Sequence, residues 1–362
     1  MTIGSLKEWF LLSDVVAPAT PWILVVDGGV STYLESLLRA PFSHRSLWSS
    51  SLLMTESGRA LIRQGHRDWL RAGCDIITTV TYQCNFGVVG KEPVMDDAAM
   101  TQLLQCGVEL AQETCNWHRK SNPNALDARK CFVVASSGCY GAALANGAEY
   151  TGKYPVGTNQ EILMDFHRRK AQILLDQHPD GLAMETIPCV DEVGAICRCL
   201  SELNMDDSAC CWVSLACRSP SQLASGELLE DALTIIRTLD PSATSVHAIG
   251  VNCCDSAHIA SLVEIITKDM ALNGPRRGIV VYPNSGEEWD AANSTWKPNT
   301  GCTSSKEFAT QIMEAIRSIE STWFKYAVNV SKPMPPPRII VGGCCRTSPA
   351  TIEELRKRID GL

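Results

Sequence analysis

The feature that most constrains the fold of this chain is an eightfold alternation of short apolar runs with longer amphipathic stretches. The apolar runs are nearly continuous and rich in Val and Ile, which is typical of parallel strands covered on both faces. They cover residues 23–29, 75–82, 131–138, 181–188, 211–217, 248–254, 278–284 and 338–345. The stretches with helical periodicity that follow them cover 57–74, 96–120, 160–177, 190–204, 227–239, 256–269, 304–319 and 348–359.

Eight successive strand-then-helix units predict a (β/α)8 TIM barrel, because right-handed crossovers of a twisted parallel sheet can close on themselves at this number. A doubly wound open sheet is the alternative. No GxGxxG follows the first apolar run, and no linker or change of composition divides the 362 residues. The Pro-rich residues 331–337 lead directly into the last strand and are interpreted as a loop. We therefore expect one α/β barrel domain over residues 1–362.

Composition narrows the range of partners. The formal charge of -8 is not gathered into an acidic or basic block, so nucleic acid is not an expected partner. No segment approaches the roughly 20 apolar residues of a membrane span, and the N-terminus lacks a signal peptide pattern. The 17 cysteines are odd in number and scattered, which fits a reducing compartment. These features predict a cytoplasmic protein without a membrane partner.

Thiols collect at the predicted strand ends, where barrels of this type place their active sites. The sixth and eighth strands lie two apart around a closed barrel, so Cys253 or Cys254 can face Cys344 and Cys345. Zinc binds thiolates at about 2.3 Å in a tetrahedron, and catalytic zinc sites use three protein ligands and leave the fourth position open. The pattern predicts such a site, although a Cys-Cys pair in a cysteine-rich chain can also be coincidental. Strand alternation leaves open which of the first two cysteines is the ligand.

Two glycines precede the second cysteine pair. We expect Gly342 and Gly343 to let the backbone turn at the strand end, so that both sulfurs reach inward.

Two carboxylates also end predicted strands. Asp27, before two glycines, could be a turn residue or helix cap. Glu185 stands alone in an apolar run, where burial is costly unless the carboxylate pairs with a cation. Together the two acids could bind a substrate ammonium group.

The combination of thiols and acids predicts the chemistry. A zinc ion on three thiolates carries a net negative charge, which makes it a poor Lewis acid for hydrolysis but suits it to binding and deprotonating a further thiol. The predicted reaction is sulfur alkylation. A metal-dependent hydrolase would need His and Asp ligands at strand ends, yet the histidine nearest a predicted strand is His247, at the start of the sixth, which is the wrong end. A non-catalytic zinc or thiol protein would not need the two acids.

These residues lie in motifs that resemble the homocysteine S-methyltransferases. The motifs occur in the family order and span nearly the whole chain: VVDGGVSTYLE (25–35), LWSSSLL (47–53), GCDIITTVTYQ (73–83), SSGCYGAALANGAEYTGKY (136–154), METIP (184–188), GVNCC (250–254), YPNSGEEWD (282–290) and VGGCCRTSP (341–349). The resemblance implies zinc-dependent methylation of the L-homocysteine thiol to give methionine. It is nearest to the branch that uses S-methylmethionine or S-adenosylmethionine, with a betaine-dependent enzyme as the alternative.

The resemblance also implies roles for particular residues. It makes Cys253, Cys344 and Cys345 the zinc ligands, and it makes Asp27 and Glu185 the acids that bind the homocysteine amino group. It implies a monomer or a homodimer.

Further residues are candidates for the rest of the two substrates. The expected contacts of the homocysteine carboxylate are Gly28, Gly29 and Thr32. A cationic donor favours aromatic and anionic surroundings. The candidate donor contacts are Tyr82, Tyr140, Tyr282 and Glu287.

Overall fold

The computed structural model of the protein describes twelve segments of the chain, and all structural statements below concern these residues. They are 4–12, 22–42, 47–87, 95–121, 131–203, 205, 209–287, 289–290, 295–297, 300–302, 304–327 and 335–362. Residues 331–334 of the expected proline-rich loop lie outside this part, and residues 335–338 are neither helix nor strand.

Each of the eight predicted strands is found. The strands of the large sheet are β1 (Ile23–Val25), β2 (Ile76–Thr78), β3 (Phe132–Gly138), β4 (Gly181–Ile187), β5 (Cys210–Leu215), β6 (Ala248–Asn252), β7 (Gly278–Tyr282) and β10 (Ile339–Val341). Two short strands, β8 (Trp289–Asp290) and β9 (Thr295–Trp296), pair with each other as a separate antiparallel ribbon.

Helices cover the sheet. They are α1 (Leu6–Leu11), α2 (Val30–Leu38), α3 (Glu56–Arg71), α4 (Asp97–Ser121), α5 (Tyr140–Ala143), α6 (Gln160–Leu175), α7 (Val190–Glu202), α8 (Leu229–Leu239), α9 (Ile259–Asn273), α10 (Ser305–Tyr326) and α11 (Pro349–Ile359). Side chains satisfy free N–H groups at several helix starts: Thr55 accepts from the Gly58 N–H, and Ser304 accepts from the Glu307 N–H. All eight predicted helices are present, with α1, α2 and α5 in addition.

The sheet closes into a barrel. Its strands follow the order β1-β10-β7-β6-β5-β4-β3-β2, and every pairing along that order is parallel. An isolated parallel bridge between Val26 and Ile76 joins the two outer strands of this order. The predicted (β/α)8 barrel is therefore confirmed, and the open-sheet alternative is excluded.

Strand alternation divides the core into two layers. One set of strand residues, including Val25, Val133 and Val281, belongs to the large cluster beneath the surrounding helices. Their neighbours Leu24, Val134 and others face inward and form a second, smaller cluster. The complete second cluster is Leu6, Trp9, Phe10, Leu24, Val26, Ile76, Phe132, Val134, Ala183, Cys210, Trp212, Ala248, Val280, Tyr282 and Ile340.

Helix α1 belongs to that interior cluster and plugs the amino-terminal end of the barrel. Trp9 is fully buried, and the Phe10 ring lies against Gly278, the first residue of β7. A capping box between Ser5 and Glu8 starts the helix. Because α1 fills the end of the barrel where the strands begin, a site can form only at the other end, where the strands end.

Composition led us to expect free cysteines and no membrane span. Most of the cysteines are buried and free, but Cys115 and Cys131 form a disulfide that links the end of α4 to the start of β3. In the described part of the chain, no helix is both long and apolar enough to span a membrane.

Replacing Trp9 with Ala tests the plug. The substitution should lower the free energy of unfolding by about 3–5 kcal/mol, as is typical when a buried aromatic side chain is removed. Chemical denaturation measures this change. Leu11→Ala on the same helix is the matched control, because Leu11 is 66% exposed. Equal losses in the two variants would contradict the plug.

Candidate metal centre and substrate site

Three cysteine thiols meet at the carboxyl ends of the strands. Cys253 follows β6, and Cys344 and Cys345 follow β10. The Cys253 Sγ lies 2.8 Å from the Cys344 Sγ and 3.6 Å from the Cys345 Sγ, and the three sulfurs all lie within 4.8 Å of one another. Cys254 does not belong to this group and is buried in the layer beneath the helices. The sequence prediction that these strand ends face each other agrees with this geometry.

Backbone hydrogen bonds to the end of β7 hold the two cysteine segments in place. The Cys253 N–H donates to the Tyr282 carbonyl at 3.3 Å, and the Cys344 N–H donates to the Pro283 carbonyl at 2.7 Å. In the other direction, the Ser285 N–H donates to the Cys345 carbonyl at 3.1 Å. The loop after β7 therefore sets the separation of thiols that are 91 and 92 residues apart in the sequence.

Among the cysteines of the cluster and the glycine pair, the left-handed backbone conformation occurs at Cys253. Cys253 has φ of +51°, a left-handed conformation that is costly for a residue with a Cβ. Gly342 and Gly343 do not have positive φ. They are required for space: a Cβ on Gly342 would lie 2.5 Å from the Val26 carbonyl oxygen, and one on Gly343 would lie 2.2 Å from the Thr347 hydroxyl.

The thiol group fits a tetrahedral metal ion. Thiolates at about 2.3 Å from a zinc ion lie about 3.8 Å from one another. The 3.6 Å separation already matches this value, and the 2.8 Å pair needs to open by about 1 Å. Three sulfur ligands leave one position for a further group. In the cluster, hydrogen bonds from Cys253 and then Cys344 hold the pKa of Cys345 well below its ordinary value.

Asp27 lies at the end of β1 and is buried. Its carboxylate accepts from the Thr78 N–H at 2.7 Å and from the Thr78 hydroxyl at 3.0 Å. Burial raises the pKa of Asp27 well above its ordinary value, the bonds from Thr78 oppose this, and the charge of Glu185 adds to it. The two acids therefore lie within electrostatic range of each other, as expected if both face one ammonium group.

Glu185 lies near the carboxyl end of β4, with 8% of its surface exposed. Burial raises its pKa to about 7, a hydrogen bond from the Ser136 hydroxyl lowers it, and charge at Cys253 raises it further. The Tyr282 hydroxyl also donates to this carboxylate. No cationic side chain forms an ion pair with Glu185 in the described part of the chain. The site thus holds an acid whose ionisation would be stabilised by a ligand cation.

A reciprocal pair of hydrogen bonds joins the residues beside Glu185 and Cys253. The Thr186 N–H donates to the Asn252 Oδ1 at 2.8 Å, and the Asn252 Nδ2 donates to the Thr186 hydroxyl at 2.8 Å. Thr186 also has positive φ, +62°, which is unusual for a β-branched residue. Asn252 therefore holds the two strained backbone positions that orient an acid and a thiol, a role that sequence spacing did not reveal.

The expected contacts of the homocysteine carboxylate lie beside the second cysteine pair. The Gly29 N–H donates to the Thr347 hydroxyl, and the Thr32 hydroxyl donates to the Gly29 carbonyl while accepting from the Arg346 N–H. Gly28 is buried next to them. Their assignment to the homocysteine carboxylate stays a prediction.

The four expected donor contacts occupy different environments. Tyr82 is half-buried within electrostatic range of Cys253, and Tyr282 is buried with its hydroxyl on Trp212 and Ser214. Glu287 forms a two-pronged ion pair with Arg346, with both N–O distances 2.9 Å.

Tyr140 belongs to a packed aromatic group in the segment after β3. Its ring contacts Tyr154 and Phe166 edge to face, and its N–H donates to the buried Glu192 carboxylate at 2.5 Å. Glu192 also accepts from the Tyr154 hydroxyl and is paired with His167 at 2.8 Å. This network fixes the segment between β3 and α6 against α7.

The same segment carries two residues over the thiols that sequence reasoning missed, Glu149 and Tyr150. Tyr150 is 48% exposed, and negative charge at Cys253 and at Cys345 raises the pKa of its hydroxyl. Glu149 is 9% exposed, and burial raises its pKa. The family-like motif of residues 136–154 includes both residues and was the available signal, but the motif alone assigned neither of them a role.

The fold and this site together define the class of protein: a (β/α)8 barrel enzyme in which a cluster of three thiols that could bind a metal ion lies beside two buried acids. A family model described as homocysteine S-methyltransferase matches residues 24–359. Homocysteine S-methyltransferase 1 of Brassica oleracea var. italica is 32% identical over 358 residues, which cover 98% of each chain. A homocysteine S-methyltransferase of Bacillus subtilis (strain 168) is 31% identical, over 92% of this chain and 93% of its own.

A solved structure agrees. The metallated form of the homocysteine methyltransferase MmuM from Escherichia coli superposes with a TM-score of 0.72 at 28% identity, covering 95% of this chain and 98% of that one. The chain belongs to the homocysteine S-methyltransferase family.

Glu185→Gln tests the electrostatics of the pocket. Because the folded-state pKa is raised, the ionised carboxylate costs stability above about pH 7, and that cost shrinks as the pH falls towards the ordinary value for Glu. The variant should therefore raise the Tm of the reduced, metal-free protein by a few degrees at about pH 8, and by less at about pH 5. Thermal denaturation measures both. A lower Tm at pH 8 would mean that Glu185 stabilises the free protein.

Proposed function

We propose that the protein transfers a methyl group from a sulfonium donor, S-methylmethionine or S-adenosylmethionine, to the thiol of L-homocysteine and so forms methionine. The observation that carries the proposal is the position, at one end of the barrel, of three clustered thiols and two buried carboxylates that form no ion pair in the described part of the chain. A thiol-bearing amino acid presents the two complementary groups, a sulfur and an ammonium.

The two carboxylates would bind and orient the acceptor. Asp27 is fixed by its bonds to Thr78, and Glu185 by bonds from Ser136 and Tyr282. A substrate ammonium between the acids would remove their mutual repulsion and lower the pKa of both. Binding of homocysteine should therefore weaken as the pH falls below about 7, the pKa of Glu185 in the free protein.

Cys253, Cys344 and Cys345 are the proposed ligands of a zinc ion. Zinc on three thiolates would supply strong preference for the ionised form of a thiol in its open position, so that the acceptor loses its proton near neutral pH. The backbone bonds from the loop after β7 hold the three protein sulfurs in place for this purpose.

The transfer itself needs little acid or base catalysis. The donor sulfur is already a good leaving group, because it takes the electron pair of the broken S–CH3 bond and becomes a neutral thioether. The protein contributes orientation of the two reactants in line and exclusion of water from the barrel mouth.

The decisive assay incubates the reduced, zinc-loaded protein with L-homocysteine and each of three donors: S-methylmethionine, S-adenosylmethionine and betaine. Methionine is measured by chromatography. Methionine from a sulfonium donor is expected. Methionine from betaine alone would reassign the donor, and no methionine from any of the three would refute the proposed function.

Cys344→Ala tests the ligand set. The variant should no longer bind one zinc ion per chain and should lose turnover as well, because two thiolates are too few to hold the ion. Cys254→Ala is the matched control, since Cys254 is adjacent in sequence to Cys253 but lies outside the thiol cluster. Metal analysis and methionine formation are measured on both. Full zinc content and activity in Cys344→Ala would refute the assignment.

A further inference from the structure

The mechanism above leaves one buried carboxylate at the barrel mouth unused, that of Glu149. The residue lies in a short 3-10 helix, Ala148–Tyr150, in the segment after β3. It is 9% exposed, and its Oε2 atom is buried without a hydrogen-bond partner in the described part of the chain. A buried carboxylate oxygen without a partner is costly, so a ligand that supplies a partner for it would gain binding free energy there.

Glu149 lies close enough to the thiol cluster to interact with it electrostatically. Its carboxylate lies within electrostatic range of Cys253 and of the hydroxyls of Tyr82 and Tyr150. It does not belong to the group of ligand atoms that lie within 4.8 Å of one another, so it is not a fourth ligand in this arrangement. The carboxylate is therefore near the reacting sulfur position but separate from the metal-binding group.

No protein cation neutralises this acid. None of the ion pairs in the described ranges includes Glu149. The buried Lys170 donates instead to the Tyr82 carbonyl at 2.8 Å and to Asn85 at 3.2 Å, so it fixes the tyrosine backbone. Glu287, the acid expected from sequence to meet the donor, is paired with Arg346. Glu149 thus differs from Glu287 in having no protein cation paired with it in the described part of the chain.

The segment that carries Glu149 is held firmly. Glu192 of α7 accepts from the Tyr140 N–H on one side and from the Tyr154 hydroxyl on the other, with Glu149 between them in the sequence. Both anchoring contacts are made to a side chain with no exposed surface. The carboxylate is therefore presented from a fixed position, which lowers the entropy cost of binding a ligand.

We propose that Glu149 binds the positive charge of the methyl donor, with the aromatic rings of Tyr82 and Tyr150 beside it. This proposal rests on the proposed function and deepens it by naming the residue that selects a sulfonium cation. Carboxylate and aromatic faces are the groups that stabilise such onium ions in proteins. The acids Asp27 and Glu185 remain available for the acceptor ammonium.

The chemistry predicts which kinetic parameter Glu149 controls. In the transfer, the acceptor thiolate supplies the electron pair of the new S–CH3 bond, and the electron pair of the old bond stays on the donor sulfur. The donor therefore loses its positive charge as the reaction proceeds. A carboxylate beside that charge favours the bound donor more than the transition state, so its removal should raise the donor KM without lowering kcat.

Glu149→Gln is the test, with Glu149→Asp as the variant that keeps the charge. Glu161→Gln, at an exposed carboxylate of α6, is the matched control. With zinc-loaded protein, the donor KM for S-methylmethionine should rise about tenfold or more in Glu149→Gln, as for loss of one charge-assisted contact. It should rise less in Glu149→Asp and not at all in Glu161→Gln. The homocysteine KM and the zinc content should stay unchanged.

Two further measurements separate a charge-binding role from a merely structural one. Methyl iodide, an uncharged methylating reagent, should convert homocysteine at the same protein-dependent rate in the wild type and Glu149→Gln. Calorimetry without homocysteine should show weaker S-methylmethionine binding to the variant. Equal loss with both methylating reagents, or unchanged S-methylmethionine binding, would overturn the role of Glu149. A wild type that makes no methionine would refute the proposed function, and the calorimetry would still decide whether Glu149 binds the sulfonium.

Discussion

The position of β7 between β6 and β10 is the constraint on which the site depends. Cys253 and Cys344 come from the two strands that flank β7, and both bond through their backbone N–H groups to carbonyls at its end. A shift of one residue in either register would turn the thiols to the opposite face. Helix α1 and the side chains of the barrel interior pack against the strands from the amino-terminal end. This packing holds the strands in the register that positions the thiols at the carboxyl end.

The same end of the barrel concentrates groups that are expensive to bury. Asp27, Glu185 and Glu149 all have pKa values raised by burial, and Cys253 and Thr186 have left-handed backbones. Such strain persists only where the surrounding structure determines it, and it collects at functional sites. In this protein one kind of ligand would reduce these costs, since the ammonium group of the acceptor and the sulfonium of the donor would each bring a positive charge to carboxylates that form no ion pair in the described part of the chain.

Much of this arrangement follows from the sequence because it depends on strand order and strand ends. The eight apolar runs predict the barrel, and the barrel brings Cys253 near Cys344 and Cys345. The sequence could not show that Cys253, not the pair Gly342 and Gly343, adopts the left-handed conformation. The sequence also did not reveal helix α1, because its short apolar face is recognisable only against the barrel interior that it fills. Nor could the motif of residues 136–154 show that one buried carboxylate oxygen of Glu149 lacks a hydrogen-bond partner.

The most direct test of the central claim is X-ray absorption spectroscopy at the zinc edge of the zinc-loaded protein, recorded before and after addition of L-homocysteine. The three-cysteine centre predicts three sulfur neighbours at about 2.3 Å in the free protein and four once homocysteine is bound. A sulfur count that does not rise with homocysteine, or a shell dominated by nitrogen and oxygen, would contradict the proposal that these thiols hold a metal that binds the acceptor sulfur.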